Sequence, residues 1–160
     1  MNTVKLVFPQ FFRAALLLMF LAGPFSGYGD GGGSEWPPLT ELQLTRGPFD
    51  VRLYPVQGND PRALVVFGSG DGGWSGWEHI VCTWLQEANL AVAGFDFGKY
   101  AAEDYDLPTL INDMADTAAF AAERLNAKEV PVLYGGWSIG AVQAVAAAAG
   151  TNRPPALAGL

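Results

Sequence analysis

Residues 130–150 read VPVLYGGWSIGAVQAVAAAAG. The first six are apolar and rich in valine, as expected for a strand covered on both faces of a parallel sheet. The last ten are mostly alanine, the best helix former. Between them Gly136-Trp137-Ser138-Ile139-Gly140 spells G-x-S-x-G, so Ser138 falls on a strand-to-helix turn. A nucleophile elbow requires that arrangement: the serine takes a strained backbone conformation, and glycines two before and two after remove side chains that would collide. The string alone is a weak signal in a chain with 20 glycines among 160 residues, and a tight packing turn with an incidental serine is the alternative.

Working upstream, ALVVF at 63–67 and LAVAGF at 90–95 have the same apolar character as 130–135. Between the first two, Trp77, Ile80, Val81, Trp84, Leu85 and Ala88 fall at helical spacing, which predicts a helix burying that face. Between the second and third, Leu107, Leu110, Ile111, Met114, Ala118, Ala121 and Leu125 do the same, with Asp106 as N-cap and Pro108 in the first turn. ELQLTR at 41–46 and FDVRLYPV at 49–56 alternate around Gly47-Pro48 and predict a β-hairpin with one wet face. The sum is an α/β fold, a three-layer sandwich with a mostly parallel sheet and an antiparallel hairpin at its start.

Residues 67–74, FGSGDGGW, follow the first of the apolar strands. Gly68, Gly70 and Gly73 satisfy G-x-G-x-x-G, with Asp96 further on, which is the fingerprint of a dinucleotide site. Several features oppose it. Asp71 would face a pyrophosphate, Trp74 follows the third glycine where close helix packing is wanted, and the apolar helical face begins only at Trp77. An elbow serine instead needs an oxyanion hole, made from the N–H of the residue after it and an N–H from an earlier loop. The candidates are Ile139 and the backbone of Gly70, Asp71 and Gly72. Trp74, Asp96 and Trp137 are the candidate pocket residues, although Asp96 is equally placed to cap the turn that follows it.

SGDGGW after an apolar strand, Gly94-Phe95-Asp96 with Tyr100 soon after, and the elbow from Gly136 to Ala141 together resemble the bacterial virulence protein family VirJ/AcvB, over about residues 63–150. The resemblance implies a periplasmic α/β-hydrolase-like domain tied to type IV secretion and to hydrolysis of aminoacylated phosphatidylglycerol, such as the lysyl form. It also suggests that the Asp71 carboxylate attracts a cationic head group, the alternative being that it bonds its own loop's N–H groups. The chain departs from the family pattern at Val142, where the family carries an acidic residue.

In hydrolases of this kind the acid and histidine follow the nucleophile. Nothing after Ser138 is Asp, Glu or His, and the single histidine, His79, is expected to face solvent on the polar side of the 77–88 helix. PPALAGL at 154–160 reads as the opening of a further buried strand from Ala156. The expectation is a C-terminally truncated domain, with the 130–135 strand left at an unpaired apolar edge.

At the other end, residues 1–27 place Lys5 and Arg13 before an apolar run from Ala14 to Ala22 and then small residues. This is the layout of a secretory signal peptide, the alternative being a buried N-terminal helix. Residues 28–38, rich in glycine and ending in Pro37-Pro38, suit a linker, and 39–160 would be the N-terminal portion of the hydrolase-like domain. The protein would then be periplasmic or secreted, with no transmembrane span in the mature chain. A formal charge of -7 argues against nucleic acid as partner. The lone Cys82 allows no internal disulfide and reads as a packed thiol. No cofactor or metal is expected.

Three functions remain open on sequence: a serine hydrolase acting on a lipid or other ester, a periplasmic binding or chaperone module for secretion-system proteins, and a dinucleotide-binding enzyme.

Overall fold

The computed structural model describes residues 35–58 and 60–160, so the expected signal peptide and most of the expected linker lie outside the described residues. The elements in chain order are β1 (Leu39–Leu44), β2 (Gly47–Tyr54), β3 (Ala63–Gly68), α1 (Gly76–Glu87), β4 (Leu90–Phe95), the short α2 (Phe97–Tyr100), α3 (Leu107–Arg124), β5 (Val132–Gly136), α4 (Ile139–Ala148) and β6 (Leu157–Gly159). They form one six-stranded sheet in the order β1-β2-β4-β3-β5-β6. The β3–β4, β3–β5 and β5–β6 pairs are parallel, and β1–β2 and β2–β4 are antiparallel.

The two-residue period of the central strands divides their side chains between two faces. Leu64 and Val66 of β3, Ala91, Ala93 and Phe95 of β4, and Val132 and Tyr134 of β5 join α3 and α4 in the larger core. Val65, Phe67 and Val92 point the other way and meet Cys82, Trp74, Val81 and Leu85 in a smaller one. This is the three-layer arrangement that the continuous apolar strands predict.

Helix ends follow local chemistry. Asp106 caps α3, accepting a hydrogen bond from Thr109 N at 2.8 Å, and this contact holds its carboxyl below the ordinary range. Pro108 sits in that helix's first turn. Ser75 and Glu78 close a capping box at the start of α1.

Three expectations are corrected. First, the hairpin turns at Thr45-Arg46, because Leu44 pairs with Gly47 and Gly47-Pro48 already belong to β2. Asp113 of α3, fully buried, accepts from Thr45 N at 2.8 Å, and Arg46 donates to Tyr100 O at 2.7 Å, so the tip is held by distant partners. Second, the buried face of α1 is rotated from the expected one: Val81 and Leu85 do pack in the smaller core, but beside polar residues and not beside the helix's own tryptophans. Glu78, His79 and Cys82 are buried, whereas Trp84 is 48% exposed. His79 does not face solvent: its Nδ1 lies 3.0 Å from the Tyr54 hydroxyl, and its ring stacks on Trp36. Third, β5 is not an edge, because β6 pairs with it at Val132 and Leu133. That outer strand is only partly buried, so the expected strand from Ala156 exists but not as a covered one.

Candidate active site

Three parallel strands, β3, β4 and β5, end side by side, with Gly68 opposite Phe95 on one side and Gly136 on the other. Every candidate residue lies just past those strand ends.

At the end of β5 the chain reverses into α4 through Ser138, which has φ 53° and ψ −120°. This left-handed φ is costly for a residue with a side chain, of the order of 1–3 kcal/mol, and persists only where surroundings impose it. The surroundings are visible. A Cβ on Gly136 would lie 2.6 Å from the carbonyl carbon of Gly140, and one on Gly140 would strike the carbonyl oxygens of Gly68 and Ser69. Trp137 N donates to Gly68 O at 3.0 Å and fastens the turn to β3. The two glycines predicted from spacing are thus required by backbone-to-backbone contact.

Within the first turn of α4, Gly140 N donates to Trp137 O and Ala141 N to Ser138 O. Ile139 N–H has no acceptor among the described residues, as the first N–H groups of a helix have none of their own. It stands at the positive end of the helix dipole, beside the serine.

The 69–74 loop lies against this elbow. A Cβ on Gly70 would be 3.3 Å from Trp137 Cδ1 and 3.6 Å from Ser138 Cβ. Gly70 is buried, while Asp71 and Gly72 are exposed at the tip of a turn closed by Gly73 N donating to Gly70 O at 3.1 Å. The Asp71 carboxylate makes no hydrogen bond or ion pair among the described residues, so it does not cap its own loop. Gly73, at φ 80°, could not carry a side chain without strain, and a Cβ there would lie 3.2 Å from Asp96 Oδ1.

Asp96 takes the capping role: its Oδ1 accepts from Lys99 N at 3.2 Å at the start of α2. Trp74 folds its ring over Gly94 and beside Tyr54, with centroids 6.5 Å apart, and so packs in the smaller core. Trp137 is 49% exposed and makes an edge contact with Trp77 at 6.0 Å. The structure therefore brings Ser138, Ile139, Gly70 and Trp137 together at one point, sets Asp71 and Gly72 at the rim, and anchors Asp96 and Trp74 in neighbouring structure.

Around the site, several residues draw their roles from burial and distant partners that sequence spacing does not give. Ser69 is entirely buried and joins the glycine loop to the turn after β4; only its place inside the SGDGGW string marked it. Asp113 and Tyr100 form a buried pair at 2.7 Å behind α2, and burial together with that carboxylate pushes the Tyr100 phenol upward. Cys82 is likewise pushed up by burial, then by nearby Glu78, which makes it a poor nucleophile. Among the described residues no cluster of His, Cys, Asp or Glu has the makings of a metal site. No described helix is long and apolar enough to cross a membrane.

A serine at positive φ on a tight strand-to-helix turn, at the carboxyl edge of a mixed sheet in this strand order, defines the α/β-hydrolase fold. Solved structures agree. A thermostable carboxyl esterase from Bacillus coagulans superposes with a TM-score of 0.61 at 21% identity, over 77% of this chain and 42% of the esterase. Dienelactone hydrolase from Anabaena variabilis gives 0.58 at 20% identity, over 77% of this chain and 61% of that one. Residues 62–152 match the model of the family described as Bacterial virulence protein (VirJ), and the chain belongs to that family. Two Mycobacterium tuberculosis proteins, provisionally named phosphoribosyl transferases, are 32% identical over 122 residues. This chain spans 28% of their length.

Proposed function

We propose that the protein is an exported serine ester hydrolase whose nucleophile is Ser138. The observation that carries this is the φ of 53° at Ser138 with Gly70 packed beside it, a conformation that costs stability and contributes nothing to the core. In the reaction, Ser138 Oγ attacks the ester carbonyl while a base takes its proton. The N–H groups of Ile139 and of the 70–72 loop receive the oxyanion, the alcohol leaves with a proton, and water then releases the acid from the serine. Trp137 at the mouth offers an apolar wall to the substrate, with Trp74 and Asp96 supporting the pocket from behind.

The substrate in this reading is an aminoacyl ester such as aminoacylated phosphatidylglycerol. The exposed, unpaired Asp71 carboxylate at the rim would meet the aminoacyl ammonium group. The family's description favours a part in virulence, the apolar run with its basic lead in residues 1–27 favours a periplasmic or secreted protein, and service to a type IV secretion apparatus rests on the family resemblance alone.

The base is the role that no described residue fills at Ser138: His79 is engaged with Tyr54 and Trp36. That observation favours a second reading, a binding module with a vestigial elbow. The test is release of lysine from vesicles of lysyl-phosphatidylglycerol with added imidazole as base. Release that disappears in Ser138→Ala and falls in Asp71→Asn supports the ester hydrolase. Vesicle binding by the parent protein without any release of lysine would establish the binding module instead.

A further inference from the structure

Ser69 is 0% exposed although its neighbours on both sides are glycines and the loop it opens reaches the surface. A buried hydroxyl must be paired or it costs free energy, and this one has partners on both sides. Its Oγ accepts from Phe97 N at 2.9 Å, and its single proton has two acceptors in reach, Gly70 O at 3.1 Å and, at the longer 3.4 Å, Asp96 Oδ1. Its own N–H donates to Phe95 O at 2.9 Å. One side chain therefore ties the end of β3 to the turn after β4.

The bond to Gly70 O is the informative one. That carbonyl also accepts from Gly73 N at 3.1 Å, so both of its lone-pair directions are used inside the loop. The 70–71 peptide plane is then fixed from one side. Across a trans peptide the N–H points opposite to the C=O, so Asp71 N–H is held facing away from Ser69 and Gly73. No described residue accepts a hydrogen bond from it. Packing completes the clamp: a Cβ on Gly98 would lie 2.6 Å from Gly73 Cα and 3.1 Å from Asp71 O, so α2 serves as the loop's backstop.

We propose that Ser69 is a positioning residue of the oxyanion site, its hydroxyl locking the Gly70–Asp71 peptide so that Asp71 N–H stays turned outward beside Ser138. The inference rests on the assignment of Ser138 as nucleophile. Ser69 touches no substrate; it acts through the peptide it holds. Losing it leaves the donor present but free to rotate, which weakens transition-state stabilisation and leaves ground-state binding intact.

The experiment is phosphonylation of the full chain by a fluorophosphonate with imidazole present, resolved into the limiting rate and the half-saturating concentration. Ser69→Ala is expected to slow the limiting rate about 10- to 100-fold, less than the roughly 100- to 1,000-fold of losing an oxyanion donor outright, with half-saturation changed less than twofold. Ser69→Thr, which keeps the hydroxyl, is expected to recover most of the rate. A limiting rate in Ser69→Ala within twofold of the parent, while Ser138→Ala is unlabelled, overturns this inference and leaves the nucleophile standing. Labelling that survives Ser138→Ala, or no labelling of the parent, overturns both. Near-ultraviolet circular dichroism identifies a variant that has lost its fold; if Ser69→Ala has, Ser69→Cys, which keeps the volume and weakens the bond, is expected to show the same loss of rate, and a parental rate there overturns the inference.

Discussion

Two turns leave the same edge of the sheet, side by side, and hold their shapes in opposite ways. The 136–140 elbow is held by absence: Gly136 and Gly140 lack side chains, so backbone meets backbone around a serine at positive φ. The 69–74 loop is held by presence: the Ser69 hydroxyl and the Asp96 carboxylate reach across strands to bind it. A turn of the first kind is rigid and tolerates no added atom. One of the second kind has open space at its tip, where Asp71 and Gly72 are exposed, and its geometry depends on a few hydrogen bonds. The nucleophile needs the former, and a site that admits a substrate needs the latter.

Substitutions separate the two. The largest effect belongs to the elbow. Gly140→Ala places a methyl group onto the Gly68 and Ser69 carbonyl oxygens, which are backbone and cannot step aside. A loss of about 3 kcal/mol is expected, from overpacking at a rigid site, read as a lowered urea midpoint. Ser138→Gly relieves the strained φ and is expected to raise stability by about 1 kcal/mol while ending all reaction at that position. Stabilisation with loss of chemistry would mark the strain as functional; destabilisation would show that the serine serves packing. Smallest is Gly72→Ala at the loop's tip, where a Cβ meets nothing within 4 Å and φ is not positive. It is expected to cost less than about 0.5 kcal/mol, as surface changes do, in the same urea titration. A Gly72→Ala loss equal to that of Gly140→Ala would erase the contrast.

The same contrast explains what was legible in the sequence. The elbow is local: an apolar strand, two glycines four apart around a serine, and an alanine run suffice to place it, and Ser138, Ile139 and the glycines stand where the spacing puts them. Asp106 and Pro108 at the start of α3 are local for the same reason. What failed depended on partners far along the chain. Gly47-Pro48 carries the stronger turn signal, yet the hairpin turns at Thr45-Arg46, where Asp113 and the Tyr100 carbonyl hold the tip. On α1 the apolar residue types placed Val81 and Leu85 correctly but misplaced the edge of the buried face. Glu78 and His79 are polar by type but buried because Ser75 and Tyr54 satisfy them, while Trp77, Trp84 and Trp137 make an aromatic ladder of edge contacts along one side. The capping box from Ser75 to Glu78 was itself readable, as S-x-x-E ahead of an apolar run.

Ser69 shows the limit most clearly. Nothing in its own residue type distinguishes it from Ser75 a few positions on. Its burial and its bonds to Gly70 O and Phe97 N follow from β3 and β4 ending in register, with Gly68 opposite Phe95. A pairing of strands separated by a helix is not written in a window of a few residues.

The central claim is that Ser138 is a nucleophile poised by the elbow, with no base beside it among the described residues. Its most direct measurement is fluorophosphonate labelling of the chain followed by intact mass and peptide mapping, with and without imidazole. The account predicts a single adduct on Ser138, slow alone, faster in proportion to added imidazole and absent from Ser138→Ala. No adduct at Ser138 at any imidazole concentration, with the chain folded, would contradict it.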